Sequence, residues 1–286
     1  MSAVPIAERA PRESLASRMW AFVRHHMLTV YALLAFVYLM LPIAIVIAFS
    51  FNSPQGRFNY TWDGFTLNNW KNWDGVPGLR SAMVLSIEIA FVASILATAL
   101  GTLIALALVR YGFRGRGATN LLIFLPLSTP EIVLGASLLT LFLNLTSVFT
   151  FGFLTILIAH VMFCISFAVV TVKARLIGFD RYLEEAAMDL GANEWVTFRR
   201  VTLPLIAPAI LAALLLCFAI SIDDFVVTYF VAGPEITFPL FVWGAARVGA
   251  PPQVNVIGTV IFIVAVVGMV GNVLVQMRRE RSAAST

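Results

Sequence analysis

Six long runs of apolar residues leave few folds open to this sequence. Each run is close to or longer than the roughly 20 residues that an α-helix needs to cross the hydrocarbon core of a bilayer. The runs cover residues 28–51, 81–109, 118–144, 150–177, 202–227 and 254–277. Hydrocarbon requires each span to satisfy its own backbone hydrogen bonds, and the runs are too long and continuous for barrel strands. We therefore predict an all-α polytopic membrane protein with six transmembrane helices.

Composition supports the same class and excludes an ordinary soluble domain. Of the 286 residues, 60% are hydrophobic and only 12% are charged. Cys164 and Cys217 both fall inside apolar runs, so no disulfide framework is expected. The first apolar run is too long for a signal peptide and lacks a small-residue cleavage site.

The placement of Lys and Arg orients the spans. If both termini are cytoplasmic, fifteen of the nineteen basic residues lie inside, as the positive-inside rule favours. The four outside are Arg57, Lys71, Arg80 and Arg247. The predicted parts are a cytoplasmic tail (residues 1–27), a six-helix transmembrane domain (28–277) with a cytoplasmic loop (178–201), and a second cytoplasmic tail (278–286). The net charge of +4 is explained by basic residues on the cytoplasmic side of a membrane protein and does not indicate a nucleic-acid-binding surface. We therefore expect membrane lipid and no nucleic acid as a partner.

The loop between the fourth and fifth runs is charge-dense and predicts two short helices. Asp180 can cap the start of the first helix, and Gly191 can end it in a left-handed conformation. The small or apolar residues on one face of that helix are Leu183, Ala186, Ala187 and Leu190. A second short helix is expected over 194–200, so the loop predicts a helix–turn–helix elbow at the membrane surface.

The residues of this elbow resemble the EAA motif of ABC-importer permeases. The matching residues are Glu185, Ala186, Ala187, Gly191, Leu203 and Pro204, with Glu184 just before them, and Val201 stands where the family has isoleucine. In that family the loop is a coupling helix that docks on a cytoplasmic ATPase. The resemblance therefore implies a type I importer permease fold and a separate pair of ATPase subunits that bind ATP and Mg, with no cofactor in this chain. The alternative is a helix lying on lipid, which the alanine-rich face disfavours.

Four carboxylates lie within the apolar runs, namely Glu88, Glu131, Asp223 and Asp224. An ionised carboxylate costs about 2.5–3.5 kcal/mol at the centre of a membrane helix even on the lenient insertion scale, so such residues usually face a polar cavity or a partner charge. None of the runs contains a Lys or Arg near its middle to neutralise them. Together they are candidates for the pathway of a cationic solute. The alternative is structural, with Glu131 at a helix start and the Asp pair as an anchor at the outer mouth.

The third run is expected to be broken near its middle. Pro126 and Pro130 lie one turn apart. Thr129 is expected to cap the restarted half-helix, with Pro130 at its first position and Glu131 just after it.

Further segments narrow the resemblance to the second permease subunit of spermidine/putrescine importers. They are Ser221–Phe225, the Phe230–Pro234 run, Arg247–Gly249, Pro252–Asn255 and Ala159–Cys164. The resemblance implies a heterodimer with another permease in the bacterial inner membrane, fed by an extracytoplasmic solute-binding protein. The transported solute would be a polyamine or, alternatively, another small amine or organic solute.

Other function classes find less support. A stand-alone secondary transporter would show inverted repeats or paired broken helices, which the sequence does not reveal. The chain has no Walker A sequence and no metalloprotease or hydrolase motif, so no catalytic residue is predicted. His160 and Cys164 lie four residues apart, but with no third ligand they favour a hydrogen-bonded core histidine over a metal site.

Overall fold

The computed structural model describes residues 15–284, and helices dominate them. The helices are α1 (Leu15–Phe49), α2 (Asn68–Lys71), α3 (Leu79–Arg110), α4 (Arg116–Ser128), α5 (Glu131–Asn144), α6 (Phe153–Ile177), α7 (Tyr182–Asp189), α8 (Glu194–Thr197), α9 (Leu203–Asp223), α10 (Val226–Val231), α11 (Phe238–Val248) and α12 (Pro252–Ala284). A π-helical turn, Phe198–Thr202, precedes α9. Within residues 15–284, β pairing is limited to a bridge between Asn52 and Phe65. The prediction of an all-α protein is confirmed.

Five of the six predicted spans are confirmed as apolar helices long enough to cross a membrane, and the third forms a bent pair of helices. The continuous segments are His26–Phe49, Leu79–Arg110, Phe153–Ile177, Glu194–Asp223 and Pro252–Gly271. The bent pair is α4 and α5, with an angle of 108° at the break between them. Helix α1 already begins at Leu15, inside the segment predicted as a tail, and the rest of that tail, residues 1–14, lies outside the described residues.

The break between α4 and α5 differs from the prediction in its chemistry. Pro130 is the N-cap of α5, and Glu131 is its first helical residue. The Thr129 hydroxyl does not cap α5, because it donates to the carbonyl of Leu125, 2.7 Å away in the preceding turn. A residue before proline is pushed into an extended conformation, and Thr129 adopts φ −80° and ψ 131°. Thr129 therefore ends α4 and does not start α5.

Residues 74–250 form one compact unit, built around α3, α6 and α9. The buried face of α3 carries small residues, among them Ala90, Ala93, Ala97, Gly101 and Ala105. Small residues let membrane helices approach closely, because lipid provides little hydrophobic drive for their association. At Gly101 the approach is tight enough that an added Cβ would lie 2.6 Å from the Cβ of Ala168 on α6. These three helices form the scaffold on which the polar residues of the unit are held.

The other unit joins the residues up to Trp73 with those from Pro251 onward. In it α1 packs against α12, and the loop after α1 folds around Asn52, which is fully buried. The Asn52 side chain donates to Asn59 and to the carbonyl of Thr61, both at 2.6 Å, and accepts from the backbone N–H of Asp63 at 2.9 Å. These bonds satisfy a buried amide and fix the loop without regular secondary structure.

Candidate functional site

Three of the four predicted carboxylates line one cavity of about 510 Å³. Glu131 starts α5, Asp223 ends α9, and Asp224 is the first residue beyond α9. We call this space the acidic cavity. It lies beside two breaks between helices, because α4 ends at Ser128 before α5 begins, and α9 ends at Asp223 before α10 begins at Val226. The fifth run was predicted to continue to residue 227, so this second interruption corrects the prediction.

The carboxylate of Asp224 is held by hydrogen bonds, which explains the interruption. Its Oδ2 accepts from the backbone N–H and the hydroxyl of Thr228, at 2.8 and 2.7 Å. The same oxygen lies 3.4 Å from Nε2 of His160. A carboxylate at the N-terminus of a helix satisfies free N–H groups there, so Asp224 stabilises the start of α10.

His160 is a buried, fully partnered core residue of α6. Its Nδ1 lies 2.6 Å from the hydroxyl of Ser221, and its Nε2 lies 2.8 Å from the hydroxyl of Thr228. Cys164, on the same helix, contacts the backbone carbonyl of Cys217 through its Sγ at 3.6 Å. The predicted hydrogen-bonded histidine is confirmed.

Asp223 and Glu131 are exposed, whereas Asp224 is only partly exposed. Aromatic rings of Phe163, Phe167 and Phe225 line the cavity beside them, and no Lys or Arg occurs among its described lining residues. The cavity therefore combines negative charge with aromatic surface, a combination that favours cationic ligands.

Glu88 does not line the acidic cavity. It lies nine residues after the start of α3, and its side chain is exposed on that helix. The structure therefore brings together three of the predicted pathway residues and leaves the fourth apart.

The EAA-like loop, residues 178–201, folds as the predicted elbow. Gly191 follows α7 with φ +89°, the left-handed region that favours glycine. Its N–H donates to the carbonyl of Met188 at 2.9 Å, and the N–H of Ala192 donates to Ala187 at 3.1 Å. This pair of bonds is a Schellman motif, which satisfies the last carbonyls of α7 and sets the turn toward α8.

The outward face of this loop is more apolar than the alanine-rich pattern predicted. Leu190 is 90% exposed and Trp195 is 67% exposed, and Leu183, Met188 and Tyr182 are exposed as well. Glu185 and Ala186 are exposed on α7 among them. Exposed apolar residues with charged neighbours, outside the spans, are typical of a protein-docking surface.

Glu184 lines the same cavity as Glu185, Met188 and Trp195, but its carboxylate is held by other side chains. It is buried, and its Oε1 accepts from Nη2 of Arg110 and from the hydroxyl of Thr202. Burial raises the pKa of Glu184, but the hydrogen bonds from Arg110 and Thr202 and the charges of Arg110 and Arg181 lower it, and the net shift is downward. Glu184 is therefore ionised at neutral pH. The sequence grouped it with the docking residues, because nothing local distinguishes it from Glu185.

Comparison with known proteins gives a family and several close relatives. Residues 97–280 match the family model described as binding-protein-dependent transport system inner membrane component. The chain is 40% identical over 229 residues to the spermidine/putrescine transport system permease protein PotC of Haemophilus influenzae, covering 80% of this chain and 88% of that protein. It is 38% identical over 252 residues to PotC of Escherichia coli K12, covering 88% and 93%. It is 39% identical over 245 residues to the putrescine transport system permease protein PotI of the same organism, covering 84% and 86%.

Solved structures share the fold. A chain of a bacterial ABC transporter involved in the import of the acidic polysaccharide alginate aligns with a TM-score of 0.62 at 19% identity, covering 94% of this chain and 99% of that one. A chain of the alginate transporter in complex with a pentasaccharide-bound periplasmic protein also aligns with a TM-score of 0.62, at 18% identity, covering 87% and 94%. The predicted importer-permease fold is confirmed.

Proposed function

Because the chain belongs to the family of binding-protein-dependent transport system inner membrane components, we propose that it is the permease subunit of an ATP-driven importer of polyamines such as putrescine and spermidine. The observation that carries the choice of solute is the acidic cavity, with the carboxylates of Glu131 and Asp223 exposed in it. The names of the relatives point to the same solutes.

The chemistry of the cavity suits a flexible polycation. Each ammonium group of a polyamine is a strongly hydrated charge that needs replacement oxygens when it leaves water. Glu131 and Asp223 lie on different elements and provide two separate anionic contacts, while the rings of Phe163 and Phe167 accept the methylene chain or an ammonium over a ring face. Contacts of this kind are individually modest, as transport requires, because a solute that binds too tightly is not released.

The outward face of the EAA-like loop supports a docking partner. We propose that Glu185, Ala186, Ala187 and Gly191 form part of the contact with an ATPase subunit, which binds ATP and Mg, and that a second ATPase binds the second permease. Leu203 and Pro204 start α9 directly behind this loop, so they connect the contact to a membrane span. An extracytoplasmic binding protein delivers the solute on the opposite side.

The test of this function is uptake by membrane vesicles that carry the chain with its partner subunits. We expect saturable, ATP-dependent uptake of labelled putrescine or spermidine. Unlabelled polyamines should compete, whereas choline, with its single charge, should compete at least about tenfold less well, because only one carboxylate contact is available to it. Uptake that polyamines leave unchanged but another amine or an anionic solute suppresses would contradict the proposed solute.

We also propose that both termini and the Arg110–Arg116 segment are cytoplasmic, since fifteen of the nineteen basic residues then lie inside. In a background without Cys164 and Cys217, single cysteines report the two sides. Asn68 and Gly112 are both exposed and lie outside the spans. A membrane-impermeant maleimide should label Asn68→Cys in intact cells and Gly112→Cys only after lysis. Labelling of Gly112→Cys in intact cells would reverse the orientation.

A further inference from the structure

The carboxylate of Glu184 joins three separate elements at one point. Arg110 is the last residue of α3, and Thr202 is the last residue of the π-helical turn before α9. Both donate to the same oxygen, Oε1 of Glu184 on α7. Thr202 is fully buried, and the side chain of Arg110 is 28% exposed, so the contact is largely shielded from water.

A second bond reinforces the attachment of α7 to α3. Nη2 of Arg181, the residue before α7, donates to the carbonyl of Val109 at 3.1 Å. The start of α7 is thus tied to two consecutive residues at the end of α3. Carbonyls in the last turn of a helix lack intrahelical partners, so this bond also satisfies one of them.

Helix α7 has little else to hold it. Of its eight residues, all of which the structure describes, only Glu184 is buried. The others present their side chains outward or at an intermediate depth. The position of the helix therefore depends on polar bonds at its first turn, since apolar burial contributes little.

We propose that Glu184 is a positioning residue that makes α7 move with α3 and α9 as one body. This inference rests on the proposed function in one respect, namely that a partner pushes on the outward face of the loop. Helix α9 is continuous from Leu203 to Asp223, about 30 Å at 1.5 Å per residue. A displacement of α7 is thereby passed through Thr202 to the helix whose far end, Asp223, lines the acidic cavity. Glu185 and its exposed neighbours contact the partner, and Glu184 transmits the resulting displacement of α7 to α3 and α9.

The test measures the attachment directly, without any solute. Spin labels are placed at Leu190, which is 90% exposed on the loop, and at Gly112, just beyond α3, in the assembled transporter lacking Cys164 and Cys217. Glu184→Gln keeps the shape of the side chain and removes its charge. We expect the distribution of label-to-label distances to broaden at least twofold in Glu184→Gln. Thr202→Val, which leaves the ion pair in place, should broaden it less.

Asp189→Asn is the matched control, because Asp189 is an exposed carboxylate at the end of the same helix. It should leave the distance distribution unchanged. In vesicles, Glu184→Gln should retain the ATPase subunits yet import several-fold fewer solute molecules for each ATP hydrolysed. A variant that merely lost its ATPase subunits would not show this lowered ratio of import to hydrolysis.

Equal distance distributions in the parental protein, Glu184→Gln and Thr202→Val would overturn the inference, whatever solute is carried. If Glu184→Gln does not assemble, Thr202→Val is the deciding variant. A distance distribution in Thr202→Val as narrow as that in Asp189→Asn would contradict the anchoring role of Glu184. Failure of the parental transporter to import polyamines, together with a broadened distribution in Glu184→Gln, would instead reject the proposed solute and leave the anchor standing.

Discussion

Gly191→Val is expected to abolish solute-stimulated ATP hydrolysis while leaving membrane insertion intact. Gly191 has φ +89°, and no heavy atom lies within 4 Å of the position a Cβ would occupy, apart from its chain neighbours. The cost of valine therefore comes from the backbone, about 1–2 kcal/mol for a left-handed residue with a Cβ and more for a branched one. The turn relaxes by changing φ, which breaks the Schellman bonds and turns α8 away from α7. The measurement is ATP hydrolysis by the reconstituted complex with and without solute-loaded binding protein.

Gly191→Asn separates conformation from contact at the same position. Among residues with a side chain, asparagine is one of those that most readily adopt the left-handed conformation, so the elbow should be retained. We expect Gly191→Asn to keep most of the stimulated hydrolysis. Normal coupling in a well-inserted Gly191→Val complex would show that the geometry of this turn is not needed for docking.

The features that sequence predicts well here are local. The lengths of the apolar runs predict the spans, and the spacing of Pro126 and Pro130, one turn apart, predicts the break in the third run. Gly191 predicts the end of α7, because few other residues suit a left-handed cap. Each of these signals acts within a few residues and does not depend on the rest of the fold.

The features that sequence could not predict depend on distant partners. Glu184 and Glu185 are chemically alike, and only the contact with Arg110, 74 residues earlier, shows that one is an anchor and the other is exposed. In the sequence, Arg110 is only one of the fifteen basic residues expected on the cytoplasmic side. An acidic residue in a cytoplasmic loop and a basic residue at the end of a span, such as Glu184 and Arg110, can form an ion pair. Many other pairs in the sequence meet the same description, so this pair could not be singled out.

The second interruption, at Asp224, was not predicted from the local sequence. The fifth run is apolar from Leu203 to Ile220, and neither glycine nor proline occurs near Asp224. What ends α9 is the set of bonds that Asp224 makes with Thr228 and with His160 on α6. Hydropathy cannot anticipate a break that is stabilised by the neighbouring helix. The role of the Asp pair in the pathway stays a prediction, and the two residues are not equivalent.

This inequivalence determines how the solute pathway should be tested. Asp224→Asn removes a charge that stabilises α10 and contacts His160, so slower uptake by that variant would mix stability with transport. Glu131 and Asp223 are exposed in the cavity and provide the cleaner variants. Glu88 is exposed on α3 outside the cavity, and its role in the pathway stays a prediction.

Glu131→Gln and Asp223→Asn are each expected to lower the rate of polyamine uptake by several-fold to about tenfold. A hydrogen bond to a charged group contributes about 1.5–3 kcal/mol, and part of this is lost when the carboxylate that replaces water around an ammonium becomes a neutral amide. Binding of the solute to the external receptor and docking of the ATPase should be unaffected, because neither residue belongs to the receptor or to the EAA-like loop. The measurement is initial uptake of labelled putrescine and spermidine by vesicles, normalised to the amount of assembled transporter.

The structural alternative for Glu131 gives a different result, and a matched control makes the difference visible. As the first residue of α5, Glu131 also interacts with the helix dipole, which is worth about 0.3–1 kcal/mol. If that were its whole role, Glu131→Gln would lower the thermal stability slightly and transport at the parental rate. Glu235→Gln neutralises an exposed carboxylate in the loop before α11, outside the cavity, and should leave uptake unchanged. Uptake at the parental rate in both Glu131→Gln and Asp223→Asn would show that these acids have a structural role. Slower uptake in both variants, with unchanged uptake in Glu235→Gln, would show that transport depends on the charge of the cavity.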